Sequence, residues 1–308
     1  MAVLLSSWRR GTAKQYSSYQ LRWESFCKSH SINMFNCDVE KGIEFLALLF
    51  KSGLGYSSIN SARSALSQII TLKDGVSFGQ HPLVCRFMKG IFELRPSLPK
   101  YSHIWDVSVV LDYIRNYHPL SELNLKQLTL NTVMLACLLS GQRCQSISCL
   151  RIDHMQVLED RIVFVFSDLL KHSRPGKHQE PLVFLRYQDP RVCVVHHLET
   201  YLDRTKTLRQ HHNVLFISYQ KPFKPVCCDT IRRWVKAGLK DAGIDVQLFA
   251  AHSTRSASAS CAKESGLSLM SLMKAAGWST ARTFANFYQK PIHSENFGVS
   301  VLEQSSCH

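Results

Sequence analysis

No apolar run in this 308-residue chain approaches the roughly 18 residues that a membrane-spanning helix needs. The longest candidates, Ile43 to Phe50 and Val133 to Leu139, have the length of buried helix segments. A secretory leader is not expected, because the basic residues of Met1 to Arg10 follow a short apolar stretch rather than precede it. The eleven cysteines include no C-x-x-C pair and no Cys/His quartet at ligand spacing, which argues against a zinc module or a disulfide scaffold. Several lie in apolar contexts, such as Cys137 in Met-Leu-Ala-Cys-Leu-Leu, and read as small core residues in a reducing compartment. His196-His197 and His211-His212 are adjacent pairs whose side chains point apart on a helix or strand, so neither suggests a metal site. There is no internal repeat, no low-complexity tail and no aromatic motif of the usual RNA-binding modules. The expectation is a soluble intracellular protein without metal or cofactor.

Acid is the scarcer charge, with 23 Asp and Glu against 37 Lys and Arg and a net charge of +14. Residues 1–100 and residues 101–308 each carry +7, which suits a clamp around a polyanion better than a single basic tail. A hydrophobic fraction of 45% is ordinary for a chain that buries a core.

The first 95 residues read as helices. Thr12 can cap a helix that places Tyr16, Tyr19, Trp23 and Phe26 on one face and Lys14, Gln15, Ser18 and Arg22 on the other. A second helix is predicted over Val39 to Lys51. A third starts at Ser57 or Ser58, burying Ile59, Ala62, Leu66 and Ile69 and showing Asn60, Ser61, Arg63 and Ser64 outward. Small polar residues with an Arg can approach a phosphate backbone closely, and they equally make an ordinary solvated face. Two prolines in Arg95-Pro96-Ser97-Leu98-Pro99-Lys100 interrupt helix and sheet alike. The expected division is therefore a helical domain over 1–95, a linker over 96–103, a second domain over 104–292 and a tail over 293–308.

In the second domain, Val107 to Tyr117 and Lys126 to Leu139 read as helices. Two strand-like runs follow, Arg161 to Phe166 and Pro181 to Leu185, joined by the basic turn Lys171-His172-Ser173-Arg174-Pro175-Gly176-Lys177. Helices resume at Val192 to Arg204 and Asp229 to Ala242. The latter buries Ile231, Trp234, Val235 and Leu239 and shows Arg232, Arg233, Lys236 and Lys240 outward. Arg232, Lys236 and Lys240, spaced by four, form one basic ridge suited to DNA. Three short helices close the domain, the second ended by Gly277 and the third stopped by Pro291.

The residues that carry chemistry lie around Ala251-His252-Ser253-Thr254-Arg255, Gly277-Trp278 and Tyr288, with Arg143 upstream in Ser-Gly-Gln-Arg. Phosphodiester transfer puts extra negative charge on the non-bridging oxygens. Two guanidiniums suit that charge, since their forks match phosphate oxygens and stay protonated. His252 stands three residues before Arg255 and shares its helix face, where an imidazole can move a proton. Trp278 can donate its indole N–H, Lys171 can protonate a leaving oxygen, and Tyr288 can be a nucleophile. Taken singly, each of these residues has a plain structural use.

The ordered set, an Arg, a Lys in a strand turn, His-x-x-Arg, Gly-Trp and a late Tyr, resembles the site of the tyrosine recombinases, also called the phage-integrase family. The resemblance spans nearly the whole chain. Ser-Gly-Gln-Arg-Cys-Gln, Leu-Leu-Lys-His-Ser-Arg-Pro-Gly-Lys, Ala-His-Ser-Thr-Arg-Ser-Ala and Ala-Gly-Trp-Ser-Thr-Ala-Arg-Thr-Phe look closer still to the eukaryotic DIRS-type and Crypton-type recombinases. The resemblance implies a mainly α fold with a small antiparallel sheet in the second domain, the first domain being core-binding and the second catalytic. It implies that Tyr288 attacks the scissile phosphate to leave a 3′-phosphotyrosine and a free 5′-hydroxyl. Arg143 and Arg255 would hold the non-bridging oxygens, Lys171 would serve as general acid, and His252 would assist. Trp278 would fill a place held by His in many relatives. Lys177, in the same turn, rivals Lys171. The implied DNA contacts are Lys14, Arg22, Ser61, Arg63, Arg174, Lys177, Arg232, Arg233, Lys236 and Lys240. The implied partner is double-stranded DNA, engaged by a homotetramer on two sites in the nucleus, with the tail available to dock on a neighbouring protomer. Membrane and small-molecule partners are not implied. Two departures stand out: Ser146 where many relatives have an acid, and Phe287 at the spacing where many have the Tyr. An inactive DNA-binding derivative and a type IB topoisomerase are the competing readings.

Overall fold

In the computed structural model the chain divides into two compact units, Met1–Pro99 and Lys100–His308. Residues 7–292 are described, apart from 74, 99, 171, 172, 174, 177–179 and 279, with only the backbone for 283, 286 and 287.

Among its described residues the first unit has four α-helices: α1 (Arg10–Ser29), α2 (Val39–Lys51), α3 (Tyr56–Leu66) and α4 (Pro82–Leu94). Their apolar stripes meet in a core around Trp23, Phe45, Leu46, Ile59, Leu66 and Phe78. The indole N–H of Trp23 donates to the Met34 carbonyl at 2.9 Å, so the largest core residue carries no unmet donor. Thr12 does not cap α1. The helix begins three residues earlier, after extended Arg9, because nothing in Arg-Gly-Thr breaks the first turn. α3 likewise begins at Tyr56, after Gly55. The range of α4 has a clear signature, Pro82 in the first turn and Val84, Met88 and Ile91 at helical spacing.

The second unit surrounds one buried helix. It contains α5 (Val107–Arg115), α6 (Leu125–Ser140), α7 (Cys144–Ser148), a sheet of β1 (Met155–Val157), β2 (Arg161–Phe164) and β3 (Leu182–Leu185), then α8 (Val194–Thr205), α9 (Cys228–Asp241), α10 (Ser253–Glu264), α11 (Leu269–Ala276) and α12 (Ala281–Phe287). α6 packs against α8, α9, α10 and β3. Its apolar residues are buried nearly all round. Its buried hydroxyls are satisfied locally, Thr129 donating to the Leu125 carbonyl and Thr132 to the Leu128 carbonyl, each at 2.6 Å. A reciprocal cap between Asn124 and Gln127 fixes its start.

The sheet is antiparallel in the order β1-β2-β3, with Ile162 opposite Phe184 and Phe164 opposite Leu182. Those four side chains are buried and form its inner face. β2 ends at Phe164 rather than Phe166, and β1 was not expected. It is a three-residue strand without a buried position, so it lacks the alternation that marks a half-buried strand. The result is a mainly helical chain with one small antiparallel sheet in the second unit. Among the described residues no helix is long and apolar enough to cross a membrane.

Candidate active site

Five of the six expected catalytic residues converge in the second unit from three turns and one helix. The first turn ends α6. Gly141 adopts φ +57°, a conformation open to glycine at little cost, and the chain reverses there into Gln142 and Arg143. Arg143 stands in extended conformation just before α7 and is half-buried at the edge of a cleft.

The second contribution is the start of α10. Trp105 donates its indole N–H to the Ser253 hydroxyl at 2.9 Å, and Thr254 donates to the Ala251 carbonyl at 2.8 Å, so this first turn is held on both sides. Arg255 is 1% exposed. Its Nη1 donates to the Gly141 carbonyl at 2.8 Å and its Nη2 to the Ala276 carbonyl at 2.6 Å. One guanidinium thus ties the Arg143 turn to the turn that carries Trp278. Gln142 adds a parallel tie through Nε2 to the Ala275 carbonyl at 2.6 Å.

The third contribution is the end of α11, where Gly277 at φ +67° closes the helix and is followed by Trp278. The fourth is Tyr288, just beyond α12, whose N–H donates to the Phe284 carbonyl at 2.8 Å. The Trp278 ring lies 4.6 Å from that of Tyr288, and the Arg255 guanidinium sits 4.6 Å over Trp278 and 5.3 Å over Tyr288. The Tyr288 hydroxyl meets His252 Nε2 at 3.1 Å. Tyr288 is 9% exposed and Trp278 5%, so the nucleophile candidate is largely desolvated.

The electrostatics follow from this packing. Burial pulls the Arg255 pKa down to about 10, and the nearby Arg143 charge pulls in the same direction, opposed by Tyr288. Arg255 therefore stays protonated at neutral pH, in a pocket that would gain from an added anion. Arg255 Nε and Trp278 Nε1 are buried and have no hydrogen-bond partner among the described residues. Buried donors of this kind are rarely left unmet unless a ligand completes them.

Tyr288, His252 and Arg143 open on a cleft of about 520 Å³ whose wall includes Arg232, Arg233 and Lys236 of α9. Among the described residues no acidic side chain lines it. Arg232 pairs with Asp229 at 2.5 Å on the surface, and such exposed pairs exchange partners at little cost. Arg232, Arg233, Lys236 and Lys240 are all exposed on α9. Arg232 and Lys236 line the cleft together with Arg233, whereas Lys240 is exposed further along α9 and is not in the lining.

In the first unit, Lys14 and Arg22 are exposed on α1, with the Arg22 guanidinium 5.9 Å over the Tyr19 ring. The reading of Arg63 as outward needs correction. Arg63 is half-buried and donates to the Gly79 carbonyl at 3.2 Å, because a long side chain on a closely packed helix finds a backbone acceptor beside it. The Ser61 hydroxyl accepts from Gln15 Nε2 at 3.0 Å and donates to the Ser57 carbonyl at 3.1 Å. Lys171, Arg174, Lys177 and the tail from 293 lie outside the described residues. Among the described residues, no three His, Cys, Asp or Glu side chains gather as a metal ion would require.

The Phage integrase family matches residues 112–294, more than half of the chain. The chain belongs to the phage integrase family. Solved structures of similar fold include the XerH site-specific recombinase in a post-cleavage complex with palindromic difH substrate, at TM-score 0.55 and 14% identity over 88% of this chain and 72% of that one. The Tn1549 transposon integrase in complex with transposon right end DNA is similar at TM-score 0.53 and 13% identity, over 88% and 85%. A lambda integrase tetramer bound to a Holliday junction is similar at TM-score 0.52 and 13% identity, over 96% and 76%. No match is found among curated protein sequences. Identities this low establish the fold, and the two-unit layout of this phage integrase family member is consistent with it. Two residues of its site escaped sequence reasoning. Gln142 sat inside the quoted Ser-Gly-Gln-Arg phrase without an assigned role. Ser260, described below, has no sequence signal of its own.

Proposed function

We propose that this chain is a site-specific DNA recombinase that cleaves and rejoins DNA through a 3′-phosphotyrosine link at Tyr288. The observation that carries the reading is the 3.1 Å contact between the Tyr288 hydroxyl and His252 Nε2 beside a cleft lined by Arg143 and three cations of α9. A tyrosine packed against a buried tryptophan needs no such company. A phosphate seated there would meet it at every oxygen.

In the proposed step the Tyr288 oxygen forms a bond to the scissile phosphorus as the bond from phosphorus to the 5′ oxygen breaks. His252 takes the phenolic proton, and a lysine of the 171–177 turn, Lys171 or Lys177, supplies the proton that the leaving 5′ oxygen needs. Arg143 and the unpartnered donors of Arg255 and Trp278 stabilise the charge that develops on the non-bridging oxygens. The phosphotyrosine conserves the bond energy, so a second 5′-hydroxyl reverses the step on a new strand, without metal or nucleotide cofactor.

The finer readings belong to the same proposal. Strand exchange between two sites calls for four such active centres, hence a homotetramer on two double-stranded DNAs; the assembly in the lambda integrase structure supports this. The DIRS-type and Crypton-type phrases support origin in a eukaryotic mobile element and action in the nucleus. The domain roles follow likewise, with residues 1–95 clamping DNA, 104–292 catalysing and 293–308 docking on a neighbour.

The test is incubation of the chain with a pool of nicked duplexes in EDTA, followed by denaturation. A protein-DNA adduct that chelation leaves intact and Tyr288→Phe abolishes is expected. DNA binding without any adduct across a broad pool would contradict the proposal and favour an inactive clamp.

A further inference from the structure

The site described above explains what surrounds the Tyr288 ring and hydroxyl. It leaves open what holds the backbone from which they project. Tyr288 follows the last residue of α12, and the Phe284 carbonyl, accepting the N–H groups of Tyr288 and Gln289 at 2.8 and 2.9 Å, ties its backbone to that helix. A nucleophile must be held to within a fraction of an ångström, since a displacement of about 1 Å can cost on the order of a hundredfold in rate.

Four hydrogen bonds supply that hold, and the side chains and backbone groups that grip the segment, those of Ser260, Lys290, Tyr101 and Ile104, take no part in the chemistry. The Ser260 hydroxyl, 2% exposed, donates to the Tyr288 carbonyl at 3.2 Å and accepts the Lys290 N–H at 3.1 Å. A hydroxyl has one donor and two acceptor positions, so a single side chain can grip the chain on both sides of Gln289. Lys290 Nζ donates to the Tyr101 carbonyl at 3.0 Å and lies 5.1 Å over the Tyr101 ring. The Pro291 carbonyl then accepts the Ile104 N–H at 3.0 Å.

The geometry has a direction. Ser260 stands eight residues after His252, about 12 Å further along the same stretch of chain at helical rise. The α10 region therefore touches the tyrosine twice, His252 at its hydroxyl and Ser260 at its carbonyl, and holds both ends of the residue. We propose that Ser260 is a positioning residue for Tyr288: with the Lys290 strut to Tyr101, it latches the tyrosine segment into the site of its own chain. Ser260 does not touch the reacting atoms and acts only through the tyrosine backbone. The proposal rests on the reading of Tyr288 as nucleophile.

The test uses the full chain on nicked duplex DNA under single-turnover conditions. Ser260→Ala is expected to slow adduct formation about 10-fold or more while DNA affinity and melting temperature stay within twofold and about 2 °C. Lys290→Met keeps the backbone N–H and the aliphatic stem but removes the strut, and is expected to slow the same step about threefold. Equimolar Tyr288→Phe and Arg143→Ala chains, mixed on DNA, are expected to give no more adduct than either alone, because a latched tyrosine cannot serve a partner's arginine. Rates within twofold of wild type for both latch variants would overturn the proposal. So would affinity and melting temperature falling in step with rate, which is the mark of a merely structural role, or recovery of adduct in the mixture. A wild-type chain that forms no adduct would instead overturn the reading on which the latch depends.

Discussion

The two units of this chain carry comparable positive charge and use it differently. Residues 1–100 and 101–308 each hold +7. In the first unit the cations called DNA-facing scatter: Lys14 and Arg22 stand exposed on α1, and Arg63 is spent on a backbone carbonyl. In the second, Arg143, His252, Arg232, Arg233 and Lys236 arrive from separate elements at one cleft, with Tyr288 in its wall. Convergence, and not the amount of charge, separates a surface that attracts a polyanion from a site that can act on one. Long-range attraction depends on summed charge and is screened by salt, whereas transition-state stabilisation depends on donors fixed at one point.

That contrast can be broken by substitution, and the largest effect belongs to the point of convergence. Tyr288→Phe should abolish adduct formation, a loss of at least about 1,000-fold, with DNA affinity within twofold by filter binding. Next come the guanidiniums. Arg255→Lys should lower the single-turnover rate by about 10²- to 10³-fold, because an ammonium cannot donate to the Gly141 and Ala276 carbonyls together and still present a planar fork to phosphate. Arg143→Lys should fall in the same range.

Smaller effects separate the two kinds of charge. Removing Arg232, Arg233 and Lys236 together should weaken DNA binding at every sequence and flatten the salt dependence by about one unit of slope per lost phosphate contact. Lys14→Ala with Arg22→Ala, on the first unit, should flatten it by less and leave the cleavage rate at saturating DNA unchanged. If the first-unit pair lowered the cleavage rate at saturating DNA, the distinction between attraction and action would fail.

The smallest effect concerns stability alone. His197 is buried in the second unit, its Nδ1 against the Cys193 carbonyl at 3.0 Å, and burial lowers its pKa to about 4. In the unfolded chain it titrates near 6.5, so between those values the unfolded state binds the extra proton. Stability should be complete above pH 6.5 and decline as pH falls toward 4, by up to about 3 kcal/mol. Urea denaturation at pH 7 and pH 4.5 measures this, and His197→Met should remove that part of the decline.

Much of this is legible in the amino-acid sequence. The range of α2 and the positions of α6, α9 and the closing helices follow from apolar periodicity and from Gly277. The short strand β1 was not legible, because one half-buried and two exposed residues have no period to read. α4 had a readable signal in Pro82 and the Val84, Met88 and Ile91 spacing, which a general assignment of helix to the first 95 residues did not use. The chemistry-bearing residues were legible as types in an order, since guanidinium, imidazole and phenol announce themselves. Their supports were not. Nothing in the sequence tells that Gln142 reaches the Ala275 carbonyl or that Ser260 bonds on both sides of Gln289, because a glutamine or serine becomes informative only when its partner is known. The outward reading of Arg63 failed for the same reason: periodicity gives the face of a helix but not the carbonyl that a long side chain will find.

The most direct measurement is the identity of the DNA-linked residue. The adduct formed on nicked duplex in EDTA is digested and the linked peptide is sequenced by mass spectrometry. A 3′-phosphate on Tyr288 and on no other residue is expected. Attachment to another tyrosine, such as Tyr101, or firm DNA binding with no adduct from the unaltered chain, would contradict it.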